Sequence, residues 1–216
     1  MIYEQMLDGL RAKLADTMSP KRYRHTVEVE RMVTRLGELY APDKLCVLRA
    51  AALLHDITKE YSNDRQILIC AQKELSVSRT DLYAPKTFHA RTAAALIAEL
   101  YPDFADDEVI SCVRWHTTGR AGMTLCEQLV YLADYIDLSR TFEDCVRLRE
   151  YFFDAEPERM TKEERLAHLE RTLILSFDMT MSALLEEGTP ISPDTSDARN
   201  ELVCRHLAEH ARTENK

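Results

Sequence analysis

Apolar residues recur at helical spacing along almost the whole chain, and four histidines and two aspartates fall on those stripes or at their ends. After Ser19-Pro20, an N-cap serine followed by a proline suited to the first helical position, Val29, Met32, Val33, Leu36 and Tyr40 fall at i, i+3, i+4, i+7 and i+11. His25 lies four residues before Val29, on the same face. Pro42 opens the next segment, where Leu48, Ala51, Ala52 and His55 share a face. A looser stretch from about 57 to 85 holds one helix over 64–74 and a turn ending at Pro85. His89, Ala93, Leu96, Ile97 and Leu100 form a third stripe, stopped by Pro102. Val109, Cys112, Val113 and His116 form a fourth, ended by Thr117-Thr118-Gly119, and Leu129, Val130, Ala133, Asp134 and Leu138 a fifth. The capping box Thr161-Lys-Glu-Glu164 opens a long helix running to about residue 187. No strand-like alternation of useful length and no internal repeat occurs. The expectation is an all-α bundle of about eight to nine helices, one domain over 1–200, followed by a polar tail over 201–216.

At 216 residues the chain can bury a sizeable single core. Its 28 Lys and Arg against 37 Asp and Glu give a net charge of −9, which argues against a general nucleic-acid binder. An anionic small substrate then requires positive charge gathered at the site. No apolar run approaches the ~18 residues of a membrane span, and the first residues lack the basic and apolar regions of a signal peptide. The six cysteines are scattered with no C-x-x-C pair, as expected of reduced thiols buried as small hydrophobes in a cytoplasmic protein.

His55 and Asp56 are adjacent in Leu53-Leu54-His55-Asp56-Ile57-Thr58-Lys59, with His25 upstream and His89, His116 and Asp134 downstream. A lone histidine on an apolar helical face is usually a packed core residue. Four of them with two aspartates make a ligand set instead. Imidazole and carboxylate without thiolate suit Fe, Mn, Co or Zn used in hydrolysis. A carboxylate has two oxygens and can bridge two ions, so Asp56 is assigned as the bridge. His25, His55 and Asp134 are assigned to one ion, and His89 with His116 to the other. The segment Trp115-His116-Thr117-Thr118-Gly119-Arg120 then offers hydroxyls, loop N–H groups and a guanidinium for phosphate. Lys59, one turn past His55, is read as a second phosphate contact. Asp56, Lys59 and Arg120 are the expected catalytic residues, and Lys59, Thr117, Thr118, Gly119 and Arg120 the expected substrate contacts. Arg24, in the basic run Lys21-Arg22-Tyr23-Arg24, is as suited to a solvated first turn as to a substrate role. His168, His206 and His210 sit among charges and are read as solvated.

The doublet with its flanking ligands resembles the HD superfamily of metal-dependent phosphohydrolases. The finer pattern resembles the bacterial YqeK family: Leu53-Leu54-His55-Asp56-x-x-Lys59, His89, Trp115-His116-Thr-Thr-Gly-Arg-x-Gly-Met123, Tyr131-Leu-Ala-Asp134-Tyr-Ile136 and Ser192-Pro193-Asp194-Thr195-x-x-Ala198-Arg199-Asn200. The last of these begins with Ser192 where the family usually carries His. The resemblance covers roughly residues 20 to 200. It implies an HD-domain bundle and a symmetrical diadenosine-tetraphosphate hydrolase with a di-iron-type centre on the same six ligands. Two ADP would be released by a metal-activated hydroxide. Iron is implied by the resemblance, while the ligand chemistry also admits manganese or cobalt. The rival readings are an HD-type nucleotidase acting on mononucleotides and a nucleotide-binding sensor without chemistry. The expected partner is a dinucleoside polyphosphate, with neither nucleic acid nor membrane, and the oligomeric state is left open, a homodimer included.

Overall fold

The four proline-led breaks in the chain each become a short 3-10 turn, and between them run the α-helices. A computed structural model of the protein describes residues 2–214, with side chains through residue 208. Eleven α-helices occur among the described residues: α1 (Glu4–Thr17), α2 (Pro20–Tyr40), α3 (Leu45–Leu54), α4 (Asn63–Gln72), α5 (Arg79–Tyr83), α6 (Phe88–Leu100), α7 (Asp107–Trp115), α8 (Leu125–Ile136), α9 (Glu143–Asp154), α10 (Lys162–Glu186) and α11 (Pro193–Glu214). Pro42, Pro85, Pro102 and Pro157 each start a 3-10 turn, because proline lacks the N–H that a helix interior needs and its fixed φ suits a first position. Ser19, Ser62, Thr124 and Thr161 cap the helices that follow them by accepting a backbone N–H. No strand occurs among the described residues, and none of their helices is long and apolar enough to cross a membrane.

Helix α3 is the centre of the bundle. It packs against α1, α2, α7 and α8, so little of its surface is left for water. Its sequence is accordingly apolar nearly all round: Leu48, Ala50, Ala51, Ala52, Leu53 and Leu54 are buried. The alanines let neighbouring helices approach closely, and Gly37 of α2 does the same from the other side. A Cβ there would lie 2.8 Å from Leu45 Cδ2 and Leu48 Cδ1. The consequence for function is geometric. The end of α3, where His55 and Asp56 follow, is held from several sides.

Five expectations need correction. The count is eleven rather than eight or nine: α1, α5, α9 and α11 are the helices beyond the segments read above, and α5 is only five residues long. Residues from 201, expected as a polar tail, continue α11: among its described side chains the buried line is Thr195, Ala198 and Leu202, too narrow to stand out in a polar sequence. The side chain of His210 and residues 215–216 lie outside the described residues. His168 is not solvated. It is 3% exposed, its ring stacks on Phe152 with centroids 5.2 Å apart, and its Nε2–H donates to Phe152 O at 3.0 Å. Its sequence neighbours are charged, but Thr172 and Ser176, one and two turns on, share its buried face. Among the cysteines, Cys204 is exposed rather than buried, and Leu138 falls beyond α8 and is exposed.

Burial lowers the pKa of His168 below the ordinary histidine value. The folded state therefore takes up a proton less readily than the unfolded chain, and stability falls as pH drops below about 6.5. We expect the fall in the urea midpoint between pH 7 and pH 5 to be smaller in His168→Gln than in the wild type. The glutamine amide can still donate to Phe152 O but does not titrate. An unchanged slope would exclude His168 as a contributor.

Candidate metal centre

The six candidate ligands arrive from five helices. His25 lies in the second turn of α2, His55 and Asp56 follow α3, and His89 is the second residue of α6. His116 caps the end of α7 and Asp134 sits near the end of α8. All are buried except Asp134, which is partly exposed.

Asp56 lies between two groups of rings. Its Oδ2 is 3.3 Å from His55 Nε2 and 3.7 Å from His25 Nε2. Its Oδ1 is 3.3 Å from His89 Nε2 and 3.9 Å from His116 Nε2. Asp134 Oδ1 adds to the first group, 3.0 Å from His25 Nε2 and 3.6 Å from His55 Nε2. His25, His55 and Asp134 thus offer one ligand atom each within 4.8 Å of one another, as do His55, Asp56 and His116.

The rings are aimed by their outer nitrogens. Nδ1–H of His55, His89 and His116 donates to the carbonyl three residues earlier: Ala52 O at 2.6 Å, Lys86 O at 2.8 Å and Val113 O at 2.7 Å. For His55 and His116 that carbonyl belongs to the last turn of a helix, where carbonyls lack an intrahelical partner. Each bond fixes the tautomer and turns the Nε2 lone pair inward, the arrangement typical of metal-bound histidine. His25 Nδ1 instead faces Ser139 Oγ at 3.2 Å and Asp137 Oδ2 at 3.4 Å. Asp137 is fully buried just past α8.

This donor set fits metal ions on three counts. Nε2 of His25 and of His55 is buried without a hydrogen-bond partner. Nε2 of His89 and of His116 stand 2.9 Å apart, two inward lone pairs face to face. Burial lowers the pKa of both rings, His116 to about 4, so a proton is a poor bridge between them. The carboxylates, finally, are ionised. Burial works to raise the pKa of Asp56 and of Asp134, but His55 and His89 around the first and Arg140 and His25 around the second hold both well below the usual range. Burial likewise pulls His25 down, yet the carboxylates of Asp134 and Asp137 beside the ring outweigh that and raise it to about 9.

Two arginines that the sequence reading did not assign to the site lie on these carboxylates. Arg22 pairs with Asp56 Oδ2, and Arg140 Nη2 donates to Asp134 Oδ1 at 2.6 Å. Arg22 sits three residues before His25 in the basic run already noted, so helical spacing could have found it. Arg140 lies beyond the end of α8, where no periodicity points.

The expected phosphate contacts divide. Lys59 Nζ lies 3.2 Å from His89 Nε2, and Thr117 Oγ1 lies 3.1 Å from His89 Nε2 and 3.0 Å from His116 Nε2. Thr118 is buried and donates to Gly119 O. Gly119, at φ +63°, turns the chain against α10 and α11: a Cβ would lie 2.7 Å from Phe177 Cζ and 3.2 Å from Ala198 Cβ. Arg120 is bound to the fully buried Glu127, Nη2 to Oε2 at 3.0 Å and Nε to Oε1 at 3.2 Å. Glu127 also accepts from Ser111 Oγ and from Thr124 N. The structure brings Lys59 and Thr117 to the rings of the centre, packs Gly119 against Phe177 and Ala198, and holds Arg120 in an ion pair with Glu127.

The HD domain family matches residues 22–139, a span that contains all six candidate ligands. "Bis(5'-nucleosyl)-tetraphosphatase, symmetrical" of Bacillus subtilis (strain 168) is 31% identical over 186 residues, covering 86% of this chain and 91% of that protein. The protein of the same name from Staphylococcus aureus (strain NCTC 8325 / PS 47) is 32% identical over 187 residues, covering 86% and 88%. Among solved structures, a "predicted HD superfamily hydrolase involved in NAD metabolism" from Clostridium acetobutylicum aligns with a TM-score of 0.78 at 27% identity, covering 95% of this chain and all of that one.

Two outcomes are expected. Because ions binding only the folded chain stabilise it by about 2.7 kcal/mol at a hundredfold excess over Kd, manganese should raise the thermal midpoint of the wild type. His55→Ala should reduce that increment, because it removes a ligand from one of the two groups of rings. A metal-dependent shift undiminished in His55→Ala would remove His55 from the ligand set. Gly119→Ala should cost roughly 2–4 kcal/mol in denaturant unfolding, from left-handed strain and collision with Phe177. A loss below 1 kcal/mol would show that the loop relaxes freely.

Proposed function

We propose that this chain, which belongs to the HD domain family, is a metal-dependent hydrolase that cleaves diadenosine tetraphosphate symmetrically into two ADP. The reading rests on one conjunction: relatives named symmetrical bis(5'-nucleosyl)-tetraphosphatase align across 86% of the chain, and the buried carboxylate of Asp56 lies between two sets of inward imidazoles.

In this reading His25, His55 and Asp134 would hold one ion and His89 and His116 the other, with Asp56 shared by the two groups. Iron is the first choice, and manganese or cobalt suits the same donors. Bound there, the ions supply Lewis-acid stabilisation of phosphoryl oxygens and a nucleophile drawn from water. The chain's own residues do the rest. The carbonyls of Ala52, Lys86 and Val113 keep three rings in the ligating tautomer. Lys59 and Thr117, both beside His89, donate to non-bridging oxygens as charge builds on them. Hydrolysis adds water across the central P–O–P bond, so one ADP takes the incoming oxygen and the other leaves with the bridging one. Arg120 supports the site indirectly, through Glu127 and the loop that carries Thr117. The enzyme acts on a small nucleotide in the cytoplasm. Its net charge of −9 fits neither nucleic acid nor an anionic membrane surface.

Incubated with diadenosine tetraphosphate and iron, manganese or cobalt, the protein should yield ADP as its only nucleotide product by ion exchange. AMP with ATP would overturn the cleavage position. Release of inorganic phosphate from mononucleotides in place of this reaction would make the chain a nucleotidase, and nucleotide binding with no turnover would make it a sensor. Asp56→Ala should lose metal and turnover together, by more than the roughly 10–100-fold that changes around a ligand cost.

A further inference from the structure

We infer that the groove beside the metal centre is the subsite for one nucleoside-diphosphate half of the substrate, with Arg22 and Arg140 on its phosphates and Phe142 stacked on its base. The inference rests on the function proposed above and adds the residues that grip the nucleotide. The groove has a volume of about 480 Å³, within the usual range of small-molecule sites. Its walls include Lys21, Arg22, Arg24, Lys59, Arg140 and Phe142, and it reaches His25. A chain of net charge −9 thus gathers five cations around one opening.

Their setting favours an anion. Lys21, Arg22 and Arg24 all fall in the first turns of α2, which has no acidic residue in its first turn. Cations at a helix N-terminus oppose the helix dipole, by about 0.3–1 kcal/mol each. Lys21 and Arg24 have no carboxylate partner among the described residues, so nothing in the fold offsets that cost. Arg22 touches Asp56 through Nη1 alone, and its Nε is buried without a partner. Arg140 touches Asp134 through Nη2 and lies 3.4 Å from Asp137 through Nε, which leaves Nη1 unused. Each guanidinium therefore meets a carboxylate of the centre and keeps a terminal nitrogen, Nη2 of Arg22 and Nη1 of Arg140, for phosphate oxygens.

Phe142 supplies the apolar element. It precedes α9, two residues beyond Arg140, and is 71% exposed although it is a large aromatic side chain. Cleavage at the middle of a tetraphosphate leaves two phosphoryl groups and a nucleoside on each side. Two guanidiniums next to the carboxylates and an uncovered ring on the same groove wall match one such half.

The test is equilibrium binding of ADP and of inorganic diphosphate to the metal-loaded protein by calorimetry, with metal content measured for every variant. Stacking of a base on an aromatic ring contributes about 1–3 kcal/mol, so Phe142→Ala should weaken ADP about tenfold. It should leave diphosphate unchanged, and Phe142→Tyr should restore ADP. Arg140→Lys should weaken both ligands several-fold at full metal content. Unchanged ADP binding in Phe142→Ala, or equal weakening of both ligands, would overturn the base subsite. Loss of metal in step with loss of binding in Arg140→Lys would make that residue a support of the centre rather than a phosphate contact. Binding is read without turnover, so the two readings fail separately. Lack of hydrolysis with the ADP-against-diphosphate split intact would overturn the reaction alone, and normal hydrolysis without the split would overturn the subsite alone.

Discussion

Asp56 is an ionised carboxylate kept almost wholly out of water, and the arrangement of helices around it answers that constraint. A buried charge is costly unless it is paired and hydrogen-bonded. Here the compensation comes from rings on α2, α6 and α7 and from the histidine beside Asp56, with Arg22 as a further partner. None of these could converge without α3, whose apolar surface fills the middle of the bundle and fixes where its last turn points. The hydrophobic core and the polar centre are thus one construction. The core positions the end of a helix, and the end of that helix carries the charge.

Helix ends do a second service. Carbonyls in a last turn have no helical partner, and a histidine placed three residues later can use one of them. The bonds from His55 to Ala52 and from His116 to Val113 satisfy a backbone group and orient a ring at the same time. His89 repeats the bond with Lys86 at the other end of a helix, where a proline-led 3-10 turn presents the carbonyl. A local requirement of the backbone and a requirement of ligand chemistry are met by the same hydrogen bond. That is why these histidines stand at breaks in the apolar pattern.

The loop after His116 shows where sequence reading stops. Thr117-Thr118-Gly119-Arg120 has the residue types of a phosphate grip, and Thr117 does face the centre. Yet Gly119 is small because Phe177 and Ala198 press against it, and Arg120 is held by a carboxylate buried in α8. Past the end of a helix, side-chain direction no longer follows from period, so equal chemical suitability did not mean equal placement. His168 is the converse case. Its charged neighbours in sequence suggested solvent, while its helical neighbours Thr172 and Ser176 lie on the same buried face, His168 meeting α9 and Ser176 meeting α8.

The sequence by itself determined the all-helical character, the principal apolar stripes and the six residues with ligand chemistry at stripe ends. Those properties are local: period, capping and proline placement act over a few residues. The tertiary structure alone decided which oxygen of Asp56 meets which ring, that Arg22 and Arg140 lie on the carboxylates, that Asp137 stands behind His25, and that Arg120 pairs with Glu127. Those facts join residues as far apart as His25 and Ser139, which are 114 positions apart in the chain. They follow from how α3 is enclosed by its neighbours, and helical period within a single segment carries no record of that.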